Sequence, residues 1–160
     1  SDKVLIKFNI AIAYSNLGEI KKSKNLIDEI SAMVDEDQFY KMLQPYLKIA
    51  KSGKQNILYL NYAAFYYMFK EDYDKSAKYL SKILDLSPDN VWIMTYLAAE
   101  YIMLDKHQKA KKLLDKADKL NENKFTNLVF GYLYYKEGNY LRAFSRFSGS
   151  RDLIKEGIFD

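Results

Sequence analysis

The chain repeats itself at a nearly constant interval, and this periodicity limits its fold more than any other feature of the sequence. Tyr67, Tyr101 and Tyr134 fall in one column, which gives offsets of 34 and 33 residues. An interval of this length indicates repeated pairs of helices, each of which buries its apolar side against its neighbours. Three blocks of the sequence align in this way: residues 57–90, 91–123 and 124–157.

Each block has the same internal pattern, which predicts two antiparallel helices. Apolar residues recur at helical spacing, a short polar break follows, and a second apolar stripe comes next. Gly138 lies in one of these breaks, where a left-handed residue allows one helix to end and the next to begin. Pro88 is expected to stop a helix, and Asp89 or Asn90 to cap the one that follows.

Small residues occupy matching positions in the two helices of every block. Two antiparallel helices approach closely only where one presents a small side chain to a larger one on the other. The sequence therefore predicts a close approach in each hairpin, with the column of tyrosines as the bulky counterpart. The small residues pair as Ala64 with Ser76, Ala98 with Ala110, and Gly131 with Ala143.

Two stretches resemble the tetratricopeptide repeat (TPR) family: EDYDKSAKYLSKILDLSPDN at residues 71–90, and KEGNYLRAFSRF at residues 136–147. Because three consecutive blocks share the family's spacing, the chain is identified as similar to TPR proteins along most of its length. The resemblance implies an all-α fold, namely a right-handed superhelix of antiparallel helix hairpins with about nine helices. It also implies one domain over residues 1–160 that binds other proteins and is not an enzyme.

The N-terminal third fits this pattern less regularly. Residues 4–34 resemble a divergent helix pair, but Tyr14 precedes Tyr67 by 53 residues, which is 34 plus 19. The additional residues predict one extra helix at residues 35–53, bent at Pro45. An odd helix interrupts a series of pairs, so we expect the superhelix to change direction near residues 35–56.

Composition excludes several kinds of site. The 160 residues contain no Cys and one His, so neither thiol chemistry nor a metal site of His and Cys is expected, and no cofactor is predicted. We expect His107 to pack at a hairpin turn, because it shares a column with Tyr73 and Tyr140. The lack of Cys is compatible with a reducing compartment, and a cytoplasmic location is the expectation.

Charge and hydropathy limit the partners. The net charge of +4 is spread along the chain, and the basic stretches at residues 21–24 and 106–112 belong to different repeats, so nucleic acid is not an expected partner. No apolar run is long enough to cross a membrane. The chain begins Ser1-Asp2 without Met, which suggests a fragment or a processed chain.

The first helix of each block carries a second apolar stripe beside its packing stripe, and in TPR proteins these helices line the concave side of the superhelix. Neighbouring helices could cover this stripe, in which case it is core. Alternatively it forms an aromatic groove for a partner segment, anchored by Trp92, Tyr96 and Tyr132. The candidate peptide-binding residues are Leu58, Tyr62, Phe65, Phe69, Trp92, Tyr96, Met103, Phe125, Val129, Tyr132, Tyr135 and Lys136.

The predicted groove lacks the residues with which some TPR domains bind acidic peptide termini. Those domains hold carboxylates with Lys, Arg and Asn, whereas the corresponding positions here are Phe8, Ile12, Phe125 and Val129. An apolar or amphipathic segment, such as a partner helix, is therefore the expected ligand. The first pair contributes Leu5, Phe8, Asn9, Ile12 and Asn16 to the same stripe.

Three functions agree with these features. The first is a scaffold or adaptor domain that binds a partner peptide or helix on the concave side. The second is a structural module that self-associates through its ends, because the predicted last helix at residues 140–155 keeps apolar residues without a capping helix. The third is a small TPR chaperone for apolar export substrates.

Overall fold

The computed structural model describes residues 2–54 and 56–155, and these residues form helices and short connections. The all-α prediction is confirmed, with ten helices in the described residues where about nine were predicted. None of these helices is both long enough and apolar enough to cross a membrane. The helices are α1 (Asp2–Asn16), α2 (Ile20–Met33), α3 (Glu36–Lys51), α4 (Ile57–Phe69), α5 (Tyr73–Leu86), α6 (Val91–Met103), α7 (His107–Leu120), α8 (Lys124–Lys136), α9 (Tyr140–Ser148) and α10 (Arg151–Lys155).

Three successive hairpins, α4–α5, α6–α7 and α8–α9, form the regular array predicted from the repeat. Their first helices begin with the same device, an asparagine whose side chain accepts hydrogen bonds from backbone N–H groups of the first turn. The caps are Asn56, Asn90 and Asn123. The cap of α6 is thus Asn90 rather than Asp89, and the caps recur at the same interval as the tyrosine column.

The turns between paired helices also share one conformation. The third-last residue of each first helix is a tyrosine, and its backbone carbonyl accepts a hydrogen bond from the N–H five residues later, at 2.8–2.9 Å. This closure requires a left-handed residue in the turn. That residue is Gly18, Glu71, Asp105 or Gly138, with φ between 55° and 78°.

The six small residues were predicted to lie where the paired helices meet, and the structure shows their burial. Gly131 gives the clearest reason for its size, because a Cβ atom there would lie 2.5 Å from the ring of Phe147 on α9. The hairpin α8–α9 can therefore close only around a residue without a side chain.

The predicted extra helix is α3. It was predicted at residues 35–53 and is observed at Glu36–Lys51, so both limits agree within two residues. Asp35 and Gln38 form a capping box at its start, and Gly53 follows its end in the left-handed region with φ of 81°. Its buried residues include Phe39 and Leu43, and the helix packs against α4.

The hairpin α1–α2 does not continue the array beyond α3. Instead α1 contacts α4 and α6, the first helices of two successive repeats. The N-terminal hairpin therefore lies across the side of the array that these first helices line. The segment at residues 35–56, where a change of direction was expected, connects this hairpin to the repeats, and residue 55 lies outside the described residues.

The predicted last helix is divided. Residues 140–155 form α9 and α10, separated by Gly149 and Ser150, and the prediction of one helix was wrong there. The buried hydroxyl of Ser150 donates a hydrogen bond back to the Arg146 carbonyl, which competes with helix continuation. The end of the third predicted repeat, residues 156–157, lies outside the described residues.

We expect Glu71→Gly to stabilise the protein by about 0.5–1 kcal/mol, because glycine removes a left-handed strain of about 1–2 kcal/mol and adds a smaller entropic cost. Urea unfolding measures the change. Glu71→Ala is the matched control, since it removes the same carboxylate and keeps the Cβ atom. Equal stability of the two variants would contradict the explanation.

Candidate functional site

The N-terminal hairpin is held against the first helices of the repeats by ring contacts and hydrogen bonds of amide side chains. The Phe8 ring lies 5.5 Å from the ring of Tyr62, whose hydroxyl donates to the side chain of Asn9. At the end of α1, the Asn16 amide donates to Asn61 Oδ1 over 2.8 Å. These contacts fix α1 along α4 through both apolar and polar groups.

The turn after α1 is fitted against the indole of Trp92. Gly18 has φ of 78°, and a Cβ atom there would lie 2.5 Å from the indole ring. Glycine is needed at this position for two reasons, the left-handed backbone and the close approach of the ring. Trp92, at the start of α6, is therefore an anchor for the chain's own hairpin.

A cavity of about 320 Å³ lies between this hairpin and helices α4, α6 and α8. Its size is at the lower end of the range for small-molecule sites. Aliphatic and aromatic side chains form most of its surface. The apolar lining residues are Phe8, Ala11, Ile12, Ile20, Ile27, Phe65, Met68, Phe69, Tyr96, Ala99, Phe125, Leu128 and Val129.

Most polar groups of the cavity are already engaged. The hydroxyls of Ser15 and Ser23 join α1 to α2 at 2.7 Å. Burial raises the pKa of Tyr96 to about 12, although its hydrogen bond with Ser15 acts in the opposite direction. Lys24 Nζ, also at the cavity, is 3.0 Å from the carboxylate of Asp28.

Glu100 is the exception. It lines the cavity with only 4% of its surface exposed, and its Oε2 has no hydrogen-bond partner among the residues that the structure describes. Burial raises the pKa of the Glu100 carboxyl to about 8, because an apolar surrounding disfavours the charged form. The group is therefore a neutral carboxylic acid at pH 7, able both to donate and to accept a hydrogen bond.

The twelve residues predicted for a peptide groove divide into three sets. Phe65, Phe69, Tyr96, Phe125 and Val129 line the cavity. Two contact the N-terminal hairpin, namely Tyr62 and Trp92. The others lie outside both sets: Leu58, Met103, Tyr132, Tyr135 and Lys136.

Part of this last set forms an open surface where α6 and α8 end. Met103 is 42% exposed and Tyr135 is 55% exposed. The Tyr132 hydroxyl lies 3.6 Å from the Met103 sulfur, and Lys136 Nζ is 5.9 Å from the centroid of the Tyr132 ring. We refer to Met103, Tyr132, Tyr135 and Lys136 as the open groove.

Sequence reasoning missed Glu100 and the two serines of the cavity. A signal for Glu100 was present, because the same column holds Tyr66 and Leu133 in the other repeats, and both are buried. A charged residue in an apolar column breaks the local pattern, and such breaks mark functional or strained sites. Sequence reasoning did find the apolar stripe of α1. In the structure, α1 packs on α4 and α6 and does not lengthen the predicted peptide groove.

The other candidate groups show no catalytic arrangement in the part of the chain that the structure describes. There, no three His, Cys, Asp or Glu side chains cluster in a way that could hold a metal ion. His107 is half buried at the start of α7, with Nδ1 3.9 Å from the Glu137 carboxylate. It lies at a hairpin turn, where the sequence placed it.

Sequence comparison adds the family. Residues 67–126 match a tetratricopeptide repeat model, and this stretch covers the end of α4 through the start of α8. This part of the chain is therefore similar to tetratricopeptide repeats. No curated protein sequence gives a significant match.

Solved TPR-type structures share the fold of this chain. The structure MamA MSR-1 C2 superposes with a TM-score of 0.61 at 15% identity, covering 97% of this chain and 98% of that chain. MamA AMB-1 C2221 gives a TM-score of 0.60 at 15% identity, with 96% and 99% covered. The MamA RS-1 ArsTM double mutant gives 0.58 at 14% identity, with 100% and 99% covered. Identities this low establish the TPR fold alone.

We expect Gly18→Ala to destabilise the protein by about 1–3 kcal/mol more than Gly53→Ala. Both glycines have a left-handed backbone, but nothing lies within 4 Å of a Cβ atom at Gly53, whereas at Gly18 it overlaps Trp92. Trp92 is the only Trp, so its fluorescence also reports the displacement of the indole. Equal losses in the two variants would show that the ring contact is unimportant.

Glu100 is expected to make stability depend on pH. The folded protein keeps its proton up to about pH 8, whereas the unfolded chain releases it near 4.5. Because the folded state binds more protons between these values, this contribution is complete below about pH 4.5 and is lost as the pH rises through 8. The loss amounts to roughly 3–5 kcal/mol.

Urea unfolding at pH 5, 7 and 9 measures this effect in the wild type and Glu100→Gln. Relative to the wild type, the variant should gain stability steadily across the series. Glu122→Gln, which removes an exposed carboxylate, is the control and should show no such trend. A constant difference between the wild type and Glu100→Gln would contradict the assignment.

Proposed function

We propose that this chain is a non-catalytic scaffold or adaptor domain that binds an amphipathic helix of a partner protein along its concave side. The observation that carries the proposal is α1, a helix that already lies against the first helices of the repeats with Val4, Phe8 and Ile12 buried. The surface is therefore suited to helices. The TPR match over residues 67–126 supports the same class of function.

The contacts of α1 indicate the kind of segment that fits. Val4, Phe8 and Ile12 are buried at intervals of four residues. The ring of Phe8 packs on Tyr62, and the neighbouring Asn9 accepts the Tyr62 hydroxyl. A partner helix with apolar residues at this spacing and amides at its edge would make equivalent contacts.

The open groove is the proposed site for that partner. It lies where α6 and α8 end, and its exposed residues include Met103 at 42% and Tyr135 at 55%. Exposed methionine and tyrosine provide adaptable apolar area with polar tips, and both are enriched in protein interfaces. Lys136 adds a cation at one edge.

The test is binding of an array of amphipathic helical peptides to the wild type and to the double variant Met103→Ala with Tyr132→Ala. We expect at least a tenfold weaker affinity for the peptides that bind the wild type, or about 1.4 kcal/mol. The matched control is Leu86→Ala with Leu120→Ala, which removes two exposed apolar residues from the second helices of repeats. Equal weakening in both variants, or no binding at all, would contradict the proposal.

Self-association is a second candidate, favoured by the exposed apolar residues of α9. Leu141 is 87% exposed, Phe144 is 69% exposed, and Tyr140 lies beside them. A contiguous apolar end of a solenoid is a surface on which another copy could stack. Light scattering over a range of concentrations tests this: a monomer at high concentration contradicts it, whereas assembly that Leu141→Lys abolishes supports it.

A further inference from the structure

The cavity beneath the N-terminal hairpin combines apolar walls with a single unsatisfied acid. Glu100 Oε2 is buried without a partner, although a polar group placed in such surroundings normally has one. Tyr66 and Leu133 show that the repeat itself accepts an apolar residue at this position. The repeat therefore does not require a carboxyl at this position, and a ligand that pairs with Glu100 would satisfy the buried Oε2 atom.

Three properties define that ligand. The cavity volume of about 320 Å³ accommodates a body of several carbon atoms. The walls, which include Phe8, Phe65 and Phe125, favour an aliphatic or aromatic body. An anionic head group would gain no counter-charge from Glu100. A cation beside Glu100 would instead favour the carboxylate form and donate a charge-assisted hydrogen bond to it.

None of the ionisable groups discussed below acts as a counter-ion for Glu100. Lys24, on α2, is 3.0 Å from Asp28 and so has its own counter-ion. Tyr73, at the start of α5, has its pKa raised mainly by burial, with smaller contributions that include the charge of Glu100. Tyr96, on α6, interacts with Ser15. Among these neighbouring groups, Lys24 is the cation, and it pairs with Asp28 and not with Glu100.

We propose that the cavity binds a primary ammonium group carried on an aliphatic or aromatic stem, with Glu100 as its counter-ion. Two sources share this chemistry, a free alkylamine and the side chain of a lysine in a partner segment. Binding of a free amine stands apart from the proposed function, because it requires neither the open groove nor a partner protein.

Calorimetry with hexylamine tests the site, with 1-hexanol and hexanoate as matched ligands that have the same stem. We expect hexylamine to bind the wild type at least tenfold more tightly than either. Since Glu100 is protonated at pH 7 and must ionise to pair with the ammonium, binding should release up to one proton at pH 7 and almost none at pH 9. Titrations in buffers of different ionisation enthalpy count that proton.

Glu100→Gln keeps the shape of the side chain and should weaken hexylamine binding at least tenfold and abolish the proton release, with hexanol binding unchanged. Should this variant not fold, the comparison of hexylamine with hexanol in the wild type decides the question by itself. Equal affinity for the two ligands, hexylamine binding without proton release at pH 7, or no binding of hexylamine would overturn the proposal.

A third arm distinguishes the sources. It uses an acetylated and amidated peptide with one lysine among leucines, and the same peptide with norleucine in place of the lysine. If the lysine peptide competes with hexylamine and the norleucine peptide does not, the natural ligand is a lysine side chain. Hexylamine binding without competition supports a free amine. Met103→Ala with Tyr132→Ala should leave hexylamine binding unchanged, so failure of the open groove and failure of this site are separable.

Discussion

The packing of α1 on the first helices of the repeats is the contact on which the rest of the structure depends. Phe8 is fully buried, with its ring 5.1 Å from Phe39 on α3 and 5.5 Å from Tyr62 on α4. It thereby joins the N-terminal hairpin, the extra helix and the repeats in one core. Without this contact, the aromatic stripe of the first helices would form an exposed apolar patch, which single domains rarely tolerate.

The same contact gives the cavity its chemistry. The hairpin closes one side of a space that the repeats alone would leave open to water, and Glu100 is thereby desolvated. In water this carboxyl would be ionised at pH 7, whereas in the apolar cavity it is neutral. The acid, its missing partner and the apolar walls are thus consequences of one docking arrangement rather than separate features.

The chain shares its fold with the MamA structures at low sequence identity, and this combination has a physical explanation. Structures at 14–15% identity superpose over nearly the whole chain. A repeat fold needs only a spacing, small residues where helices meet and a turn that closes, and many sequences satisfy these needs. Function must therefore be sought in residues that the repeat does not require, such as Glu100 and the open groove.

The sequence by itself determined the local structure: the helix pairs, the extra helix and the left-handed turn at Gly138. Each depends on residues close together in the chain, so spacing reveals it. The position of α1 depended on contacts between distant residues, such as Asn16 with Asn61. An apolar stripe indicates that a face is buried but not what covers it, and only the tertiary structure showed that the chain covers part of its own groove and encloses Glu100.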